Sequence, residues 1–436
     1  MKKNKGQELY KIAKKNILGR TMLFSKLPEI WLPKHWPSYF SKARKITVWD
    51  LEGNRYIDMI FAVGQNILGY SNPKIDQEVI KGIKKNNMTT LNCPEEVILS
   101  KKLLSIHPWA SKIKFARSGG EANAIAIRIA RSATKKQKVA VCGYHGWHDW
   151  YLSVNLKNSE ELGNHLQPGL NPVGVPKSLK NTVYAFPSNN LRELKRLVTK
   201  FDIGIIKMEV ARDYLPNKIF LKQVKNFSKK NNLILIFDEC TSGFRRNLGG
   251  LHLNLGVKPD ICIYGKALGN GYAINAVLGN EKVMRNASKS FISSTFWTER
   301  IGFVAAINTL KEMQRVNAWK KIIKNGKHLI TGLKKLSKKY KLNIEIKGIE
   351  SIVSFNFKSR YNLEFKTFLT QEMLKNGYLA SDKFYLSIYH DKKIINKFLY
   401  KLDPIFKKIK ELENNGEINN YLEGPVRISD FKRIFN

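Results

Sequence analysis

The chain reads as an α/β protein built on a mainly parallel central sheet, with a smaller α+β part drawn from both chain ends. Three observations point there. Short, continuous apolar runs recur through the middle: "KIKFA" (112–116), "KVAVCG" (138–143), "DIGIIKMEV" (202–210), "NLILIFDE" (232–239), "DICIYG" (260–265) and "NAVLG" (275–279). Runs of this kind suit strands buried on both faces, as in parallel sheets. Amphipathic stretches such as "LKQVKNFSKKN" separate them, and polar or glycine-rich residues follow their ends. Open α/β sheets carry their functional groups at those carboxyl ends.

In chain order, residues 1–70 form an N-terminal segment that belongs to the smaller domain. Within it "ITVWDLEGNRYIDM" (46–59) alternates apolar and polar residues around Gly53, the pattern of a β-hairpin. Residues 71–320 form the large α/β domain. From 321 to 436 the chain turns to amphipathic helix, then a strand pair near "NIEIKGIESIVSFNF" (343–357), then helix again. That last part forms the small α+β domain with the N-terminal hairpin.

Composition narrows the class. The 436 residues are 43% hydrophobic and 11% aromatic, a composition that folds around a large core. No apolar run approaches the roughly 18 residues of a membrane span. The start, "MKKNKGQELYKIAKKN", is basic but lacks the apolar stretch of a secretory signal. Cys93, Cys142, Cys240 and Cys262 are too scattered for a zinc pattern and read as reduced thiols, which places the protein in the cytoplasm. The formal charge of +41 would suit a polyanionic partner. Its lysines are spread along helix-like segments without a nucleic-acid-binding signature, so a diffuse basic surface competes with that reading.

Four strand ends carry chemistry. Ser118-Gly119-Gly120 follows a strand and opens a helix, where free N–H groups and the helix dipole attract an anion such as phosphate. Tyr144, His145, Gly146, Trp147 and His148 follow the next strand and could supply a platform for a flat ring. His145 and His148, with Asp149 adjacent, could instead suggest a metal, but no further well-spaced ligand accompanies the two histidines. Asp238-Glu239 ends a fully apolar strand, where a carboxylate needs a cation or a protonated ring nitrogen. Lys266, in "DICIYGKALGNG", ends another; lost solvation favours its neutral, nucleophilic amine. Each feature alone has a plain structural explanation. A phosphate cradle, a ring platform, an acid for a ring nitrogen and a Schiff-base amine together describe one ligand, pyridoxal 5′-phosphate.

These residues resemble the class III pyridoxal-phosphate aminotransferases of fold type I. "ARSGGEANAIAIRIAR", "GYHGWHD", "LILIFDECTSGFR", "PDICIYGKALGNGY" and "SSTFWTERIGFVAA" are similar to that family's motifs, in order, from about residue 45 onward. Within the family the likeness is to glutamate-1-semialdehyde aminomutase. More narrowly it is to the aminomutase-like enzymes of surface-polysaccharide gene clusters, through "NCPEE", "STFWTERIG" and "LEGPVRISDFKR". The resemblance implies that Lys266 forms the Schiff base and moves the proton at Cα. It implies that Asp238 pairs with the ring nitrogen and that Tyr144 stacks on the ring. Gly119, Gly120 and Ser118 would hold the phosphate, and Glu209 would lie near the cofactor. Thr295 would reach the phosphate in a neighbouring subunit, which implies a homodimer with shared active sites.

There are departures. Ser118-Gly119-Gly120 stands for S-G-T, removing one hydroxyl, and Glu209-Val210-Ala211 stands for E-P-V, followed by Arg212 and Asp213. "LPEIWLPKHWPSYF" replaces the segment that grips a substrate carboxylate in the aminomutase. The expected activity is transfer of an amino group from a donor such as glutamate to a small aldehyde, ketone or sugar-derived acceptor. The alternatives are a 2,1-aminomutase, an epimerase or decarboxylase of the same fold, and a basic non-catalytic binder. Arg212, Trp297 and Glu299 are the candidate substrate contacts.

Overall fold

The computed structural model describes residues 5–158, 161–162, 169–211 and 217–429. The chain divides into two compact units, residues 1–72 with 320–436 and residues 73–319.

In the first unit the helix Lys5–Asn16 precedes β1 (Phe40–Arg44), β2 (Thr47–Asp50) and β3 (Arg55–Asp58), which pair antiparallel in sequence. The turn joining β2 to β3 is fastened by the Asp50 carboxylate, which accepts from the backbone N–H groups of Glu52 and Asn54 at 3.0 and 2.8 Å. Asp58 closes β3 in the same manner, accepting from the N–H groups of Ile60 and Phe61 at 2.9 and 2.7 Å and from the Tyr70 hydroxyl at 2.7 Å. It thereby holds Phe61, Ala62 and Val63 in left-handed backbone, with φ of 51°, 46° and 57°. Such a run costs about 1–2 kcal/mol per residue and persists only where its surroundings fix it.

The second unit holds the large sheet. Its strands are β4 (Lys112–Ala116), β5 (Lys138–Cys142), β6 (Val183–Ala185), β7 (Ile203–Glu209), β8 (Ile234–Glu239), β9 (Ile261–Tyr264) and β10 (Asn275–Gly279). Their spatial order is β4-β10-β9-β8-β7-β5-β6. β5 through β9 run parallel, while β10 is antiparallel to both of its neighbours. The sheet is therefore mixed but mainly parallel. β6 is too short to stand out from "NTVYAF" and was not among the expected runs.

The helix Gly119–Thr134 covers one face of this sheet. Ile125, Ile127 and Ile129 of that helix join Val139, Val141, Ile205, Ile236, Ile261, Ile263 and Val277 in one buried cluster. Each such side chain contributes roughly 1.5–3 kcal/mol by leaving water. Ser118 caps the helix: its Oγ accepts from the Glu121 N–H, and the Glu121 carboxylate accepts from the Ser118 N–H. This capping box sets where the helix begins and aims its first N–H groups out of the β4 end.

The chain then returns to the first unit through β11 (Ile344–Ile349), β12 (Ile352–Phe357), β13 (Tyr378–Leu379) and β14 (Lys383–Tyr385). β13 pairs in parallel with β3, while β11, β12 and β14 form a separate antiparallel sheet. Asp382 is buried here between the Lys366 ammonium at 2.9 Å and the Arg427 guanidinium at 2.8 Å. Both cations hold its carboxyl well below the usual range, against the upward push of burial. Among the described residues, no helix is long and apolar enough to cross a membrane.

Candidate active site

The site grows from the ends of β5, β7, β8 and β9 and the start of the helix Gly119–Thr134. Strand alternation sends Asp238 and Glu239 to opposite faces of β8. Glu239 is fully engaged: it accepts from Ser242 Oγ, the N–H groups of Leu251 and His252, and the His252 ring, all within 2.9 Å. It braces the segment after β8. Asp238 lies on the face that the helix covers, and its pair in the parallel register is Glu209 of β7.

Asp238 Oδ2 accepts from His145 Nδ1 at 2.9 Å, and its Oδ1 accepts from the Cys240 N–H at 3.0 Å. The Lys207 ammonium lies 3.7 Å from Oδ2. Burial alone would push this carboxyl upward, but the Lys207 charge and the His145 hydrogen bond hold it far below the ordinary range. Asp238 is thus an anion, and each oxygen retains acceptor capacity. His145 is buried and held below its usual range by burial and by Lys207, with Asp238 pulling the other way. Its Nδ1–H donates to the carboxylate, which fixes both tautomer and ring orientation.

Lys266 stands two residues beyond the end of the apolar strand β9, after Gly265, in left-handed backbone at φ 42°. A non-glycine residue there stores about 1–2 kcal/mol of strain. Its Nζ donates to Thr241 Oγ1 at 3.1 Å, which ties the amine to the segment following Asp238. Gly265 is needed for contact: a Cβ there would fall 2.0 Å from Asn275 Oδ1. The Asn275 amide donates to the Arg117 carbonyl at 2.9 Å, joining the start of β10 to the end of β4. Cβ atoms placed on Gly119 and Gly265 would both lie within 3.7 Å of Cys240 Sγ. The phosphate-type turn, the acid-bearing segment and the lysine-bearing segment therefore meet around Cys240.

Gly120 meets the loop after β5. A Cβ on Gly120 would sit 2.6 Å from His148 Cε1, and one on Gly146 would sit 3.2 Å from Gly120 Cα. The two segments approach as bare backbone. The N–H groups of Gly119 and Gly120 have no partner among the described residues. Ser118 Oγ, by contrast, is already used in the capping box. Tyr144 is half-buried, set edge-on to Tyr151. Its N–H donates to Glu209 Oε2 at 2.9 Å, so Glu209 serves this segment through its backbone.

Of the remaining expected residues, Thr295 is exposed in the short turn Thr295–Thr298. Trp297 and Glu299 are taken up by the scaffold. Trp297 Nε1 donates to Glu121 at 3.2 Å, and Glu299 pairs with Arg117 at 3.3 Å. Arg117 also donates to the carbonyls of Phe296 and Trp297, fastening this turn to the helix start. Arg212 lies outside the described residues. Two residues escaped the sequence reading. His145 was weighed as a platform or metal ligand rather than as the partner of Asp238. Lys207 was passed over, although a lysine between Ile206 and Met208 in a fully buried strand was a visible signal.

The residues fit a flat, phosphorylated pyridine. Unpaired N–H groups at a helix start suit the phosphate, a buried anion suits a ring nitrogen, and a positioned amine suits a carbonyl carbon. The comparisons agree. A family model described as aminotransferase class-III matches residues 33–383. A 3-aminobutyryl-CoA aminotransferase from Cloacimonas acidaminovorans is 35% identical over 325 residues, 72% of this chain and 74% of that protein. A glutamate-1-semialdehyde 2,1-aminomutase from Methanocaldococcus jannaschii is 29% identical over 436 residues, 93% of this chain and 99% of its own. Among solved structures, the internal-aldimine form of the FumI protein of Sphingopyxis superposes with a TM-score of 0.85. It is 21% identical, covering 97% of this chain and 98% of that one. An omega-transaminase from Sphaerobacter thermophilus gives 0.82 at 20% identity, covering 92% and 97%.

Proposed function

The chain belongs to the class III aminotransferases, and we propose that it moves an amino group from an amino-acid donor, such as glutamate, to a small aldehyde, ketone or sugar-derived acceptor. The observation that carries this reading is the convergence of Lys266, the segment after Asp238, and Gly119 around Cys240. Pyridoxal 5′-phosphate, the cofactor of this family, supplies an electron-poor ring that accepts the electron pair left when a Cα–H bond breaks.

The residues of this chain then have distinct tasks. Asp238, kept ionised, holds the proton on the ring nitrogen. His145 keeps that carboxylate oriented. The N–H groups of Gly119 and Gly120 bind the phosphate, and the Tyr144 ring stacks on the pyridine. Glu209 fixes the Tyr144 backbone. The Lys266 amine would hold the cofactor through its aldehyde carbon and would carry the proton between the substrate Cα and C4′. Thr295 reaches the phosphate of a second subunit, making the working unit a homodimer. The exposure of its turn in a single chain supports this. The cytoplasm is the proposed compartment, in keeping with four free cysteines.

A second reading has its own support: likeness to the aminomutase runs over nearly the whole chain. In that case donor and acceptor carbons belong to one molecule. The test is a half-reaction screen. The yellow protein is treated with single amino donors, and the released keto acid is counted per subunit. Stoichiometric keto acid from a donor, followed by reversal with a separate carbonyl acceptor, supports transfer between molecules. Failure of every donor to release keto acid, with isomerisation of a vicinal amino aldehyde, would establish the mutase. Protein that takes up no cofactor and shows no borohydride-fixed lysine would refute both.

A further inference from the structure

Lys207 is the feature the proposed chemistry does not use. It lies in the middle of β7, whose seven residues are all buried, and its side chain is fully inaccessible. Its register partners are Val141 of β5 and Ile236 of β8, both in the apolar cluster under the helix Gly119–Thr134. Nothing in that wall stabilises an ammonium. Its Nζ makes no hydrogen bond among the described residues, and Asp238 Oδ2, 3.7 Å away, is the carboxylate it faces.

We propose that Lys207 is a positioning residue that shares the Asp238 carboxylate with the ring nitrogen of the cofactor, so that the two cations compete for one anion. The inference rests on the reading that Asp238 faces that nitrogen. Its physical basis is charge counting in a buried place. Asp238 supplies one negative charge. Lys207 at 3.7 Å and a protonated ring nitrogen would together supply two positive charges, and the neutral His145 ring adds none. A buried pocket carrying surplus positive charge is costly, so a proton must be lost as the ring binds.

The other groups facing Lys207 do not replace Asp238. Glu209 is on its own strand, and its Oε2 accepts from the Tyr144 N–H. Cys240, partly buried, and Cys262, buried, are thiols pushed well above their usual range by desolvation, hence neutral. Burial holds Lys207 below the ordinary lysine range, while Asp238 pulls it back up. Its proton is therefore available to be displaced. A chain with an apolar residue at this position would leave Asp238 wholly to the ring. Here the ring nitrogen holds its proton less firmly, and the ring draws electrons less strongly.

The test compares two probes on the apoenzyme: pyridoxal 5′-phosphate, and its 1-deaza analogue, in which C–H replaces the ring nitrogen. The quantity read is the ratio of their dissociation constants, deaza over normal, by fluorescence titration at pH 8. Competition requires Lys207→Met to raise that ratio at least tenfold, because the freed carboxylate rewards only the probe that carries a ring N–H. Lys207→Gln, which keeps a polar group but no charge, must move the ratio in the same direction, and it serves if the methionine variant folds poorly. Asp238→Asn must collapse the ratio toward one. A ratio unmoved by both Lys207 variants but collapsed by Asp238→Asn would overturn the sharing alone. A ratio moved by none of the three would overturn the placement of the ring nitrogen at Asp238 as well.

Discussion

His390 makes the stability of the first unit depend on pH in a way that can be worked out. Its ring is fully buried, with Nδ1 accepting from the Ser387 N–H at 2.9 Å and Nε2–H donating to the Asp58 carbonyl at 2.8 Å. A proton added at Nδ1 would destroy the first of these bonds. Burial accordingly lowers this histidine from 6.5 to about 4, with the Asp58 carbonyl and the Asp391 charge resisting. The unfolded chain therefore binds more protons than the folded one between those values. Stability is complete above pH 6.5, falls as pH drops below it, and levels off beneath about pH 4. Linkage puts the loss from pH 8 to pH 5 at about 2 kcal/mol for this one group. His107, shifted equally, adds its own loss in the second unit. The measurement is urea unfolding at pH 8 and 5, wild type against His390→Asn. The variant starts less stable but should lose about 2 kcal/mol less on acidification. Parallel losses in the two proteins would refute the assignment of a neutral, hydrogen-bonded ring.

Three more outcomes follow from geometry. Lys266→Ala should fold and retain the cofactor's phosphate but lose amino transfer by more than about a thousandfold, with no borohydride-fixed adduct in the mass spectrum. Gly120→Ala, whose Cβ would overlap the His148 ring, should weaken cofactor affinity about tenfold by equilibrium dialysis while the melting temperature stays within a few degrees. Gly326→Ala inside the helix Ala318–Tyr340 should gain up to about 1 kcal/mol of helix propensity. It should lose more than that, about 2–3 kcal/mol net, because its Cβ would fall 1.7 Å from the Glu350 carbonyl oxygen. A raised melting temperature would show that the turn at Glu350 yields freely.

The strands of the large sheet could be read from the sequence because a run such as "LILIF" has no other economical burial. The site could be read because polar residues at such ends need a reason. What stayed hidden is geometric. The antiparallel sense of β10 is invisible in "NAVLG", since the hydrophobic pattern carries no direction. The task of Glu239 was hidden beside Asp238, since only alternation shows that it turns away into the brace around His252. Trp297 and Glu299, expected as substrate contacts, are tied to Glu121 and Arg117, partners too distant in sequence to be read from it. Lys207 was lost among many exposed lysines, though its apolar neighbours set it apart.

The antiparallel strand also sets a timetable for synthesis. β4 lies at the edge of the sheet, and among the described residues its one strand partner is β10, roughly 160 residues further along the chain. At ribosomal rates of about 5–20 residues per second, β4 waits on the order of ten to thirty seconds for that partner to emerge. The turn Ser118-Gly119-Gly120 leads directly out of β4. The anion-binding end of the site is thus assembled late, only after the lysine-bearing segment has left the ribosome. A nascent chain halted before residue 275 would hold Asp238 and Lys266 but lack a fixed seat for the phosphate.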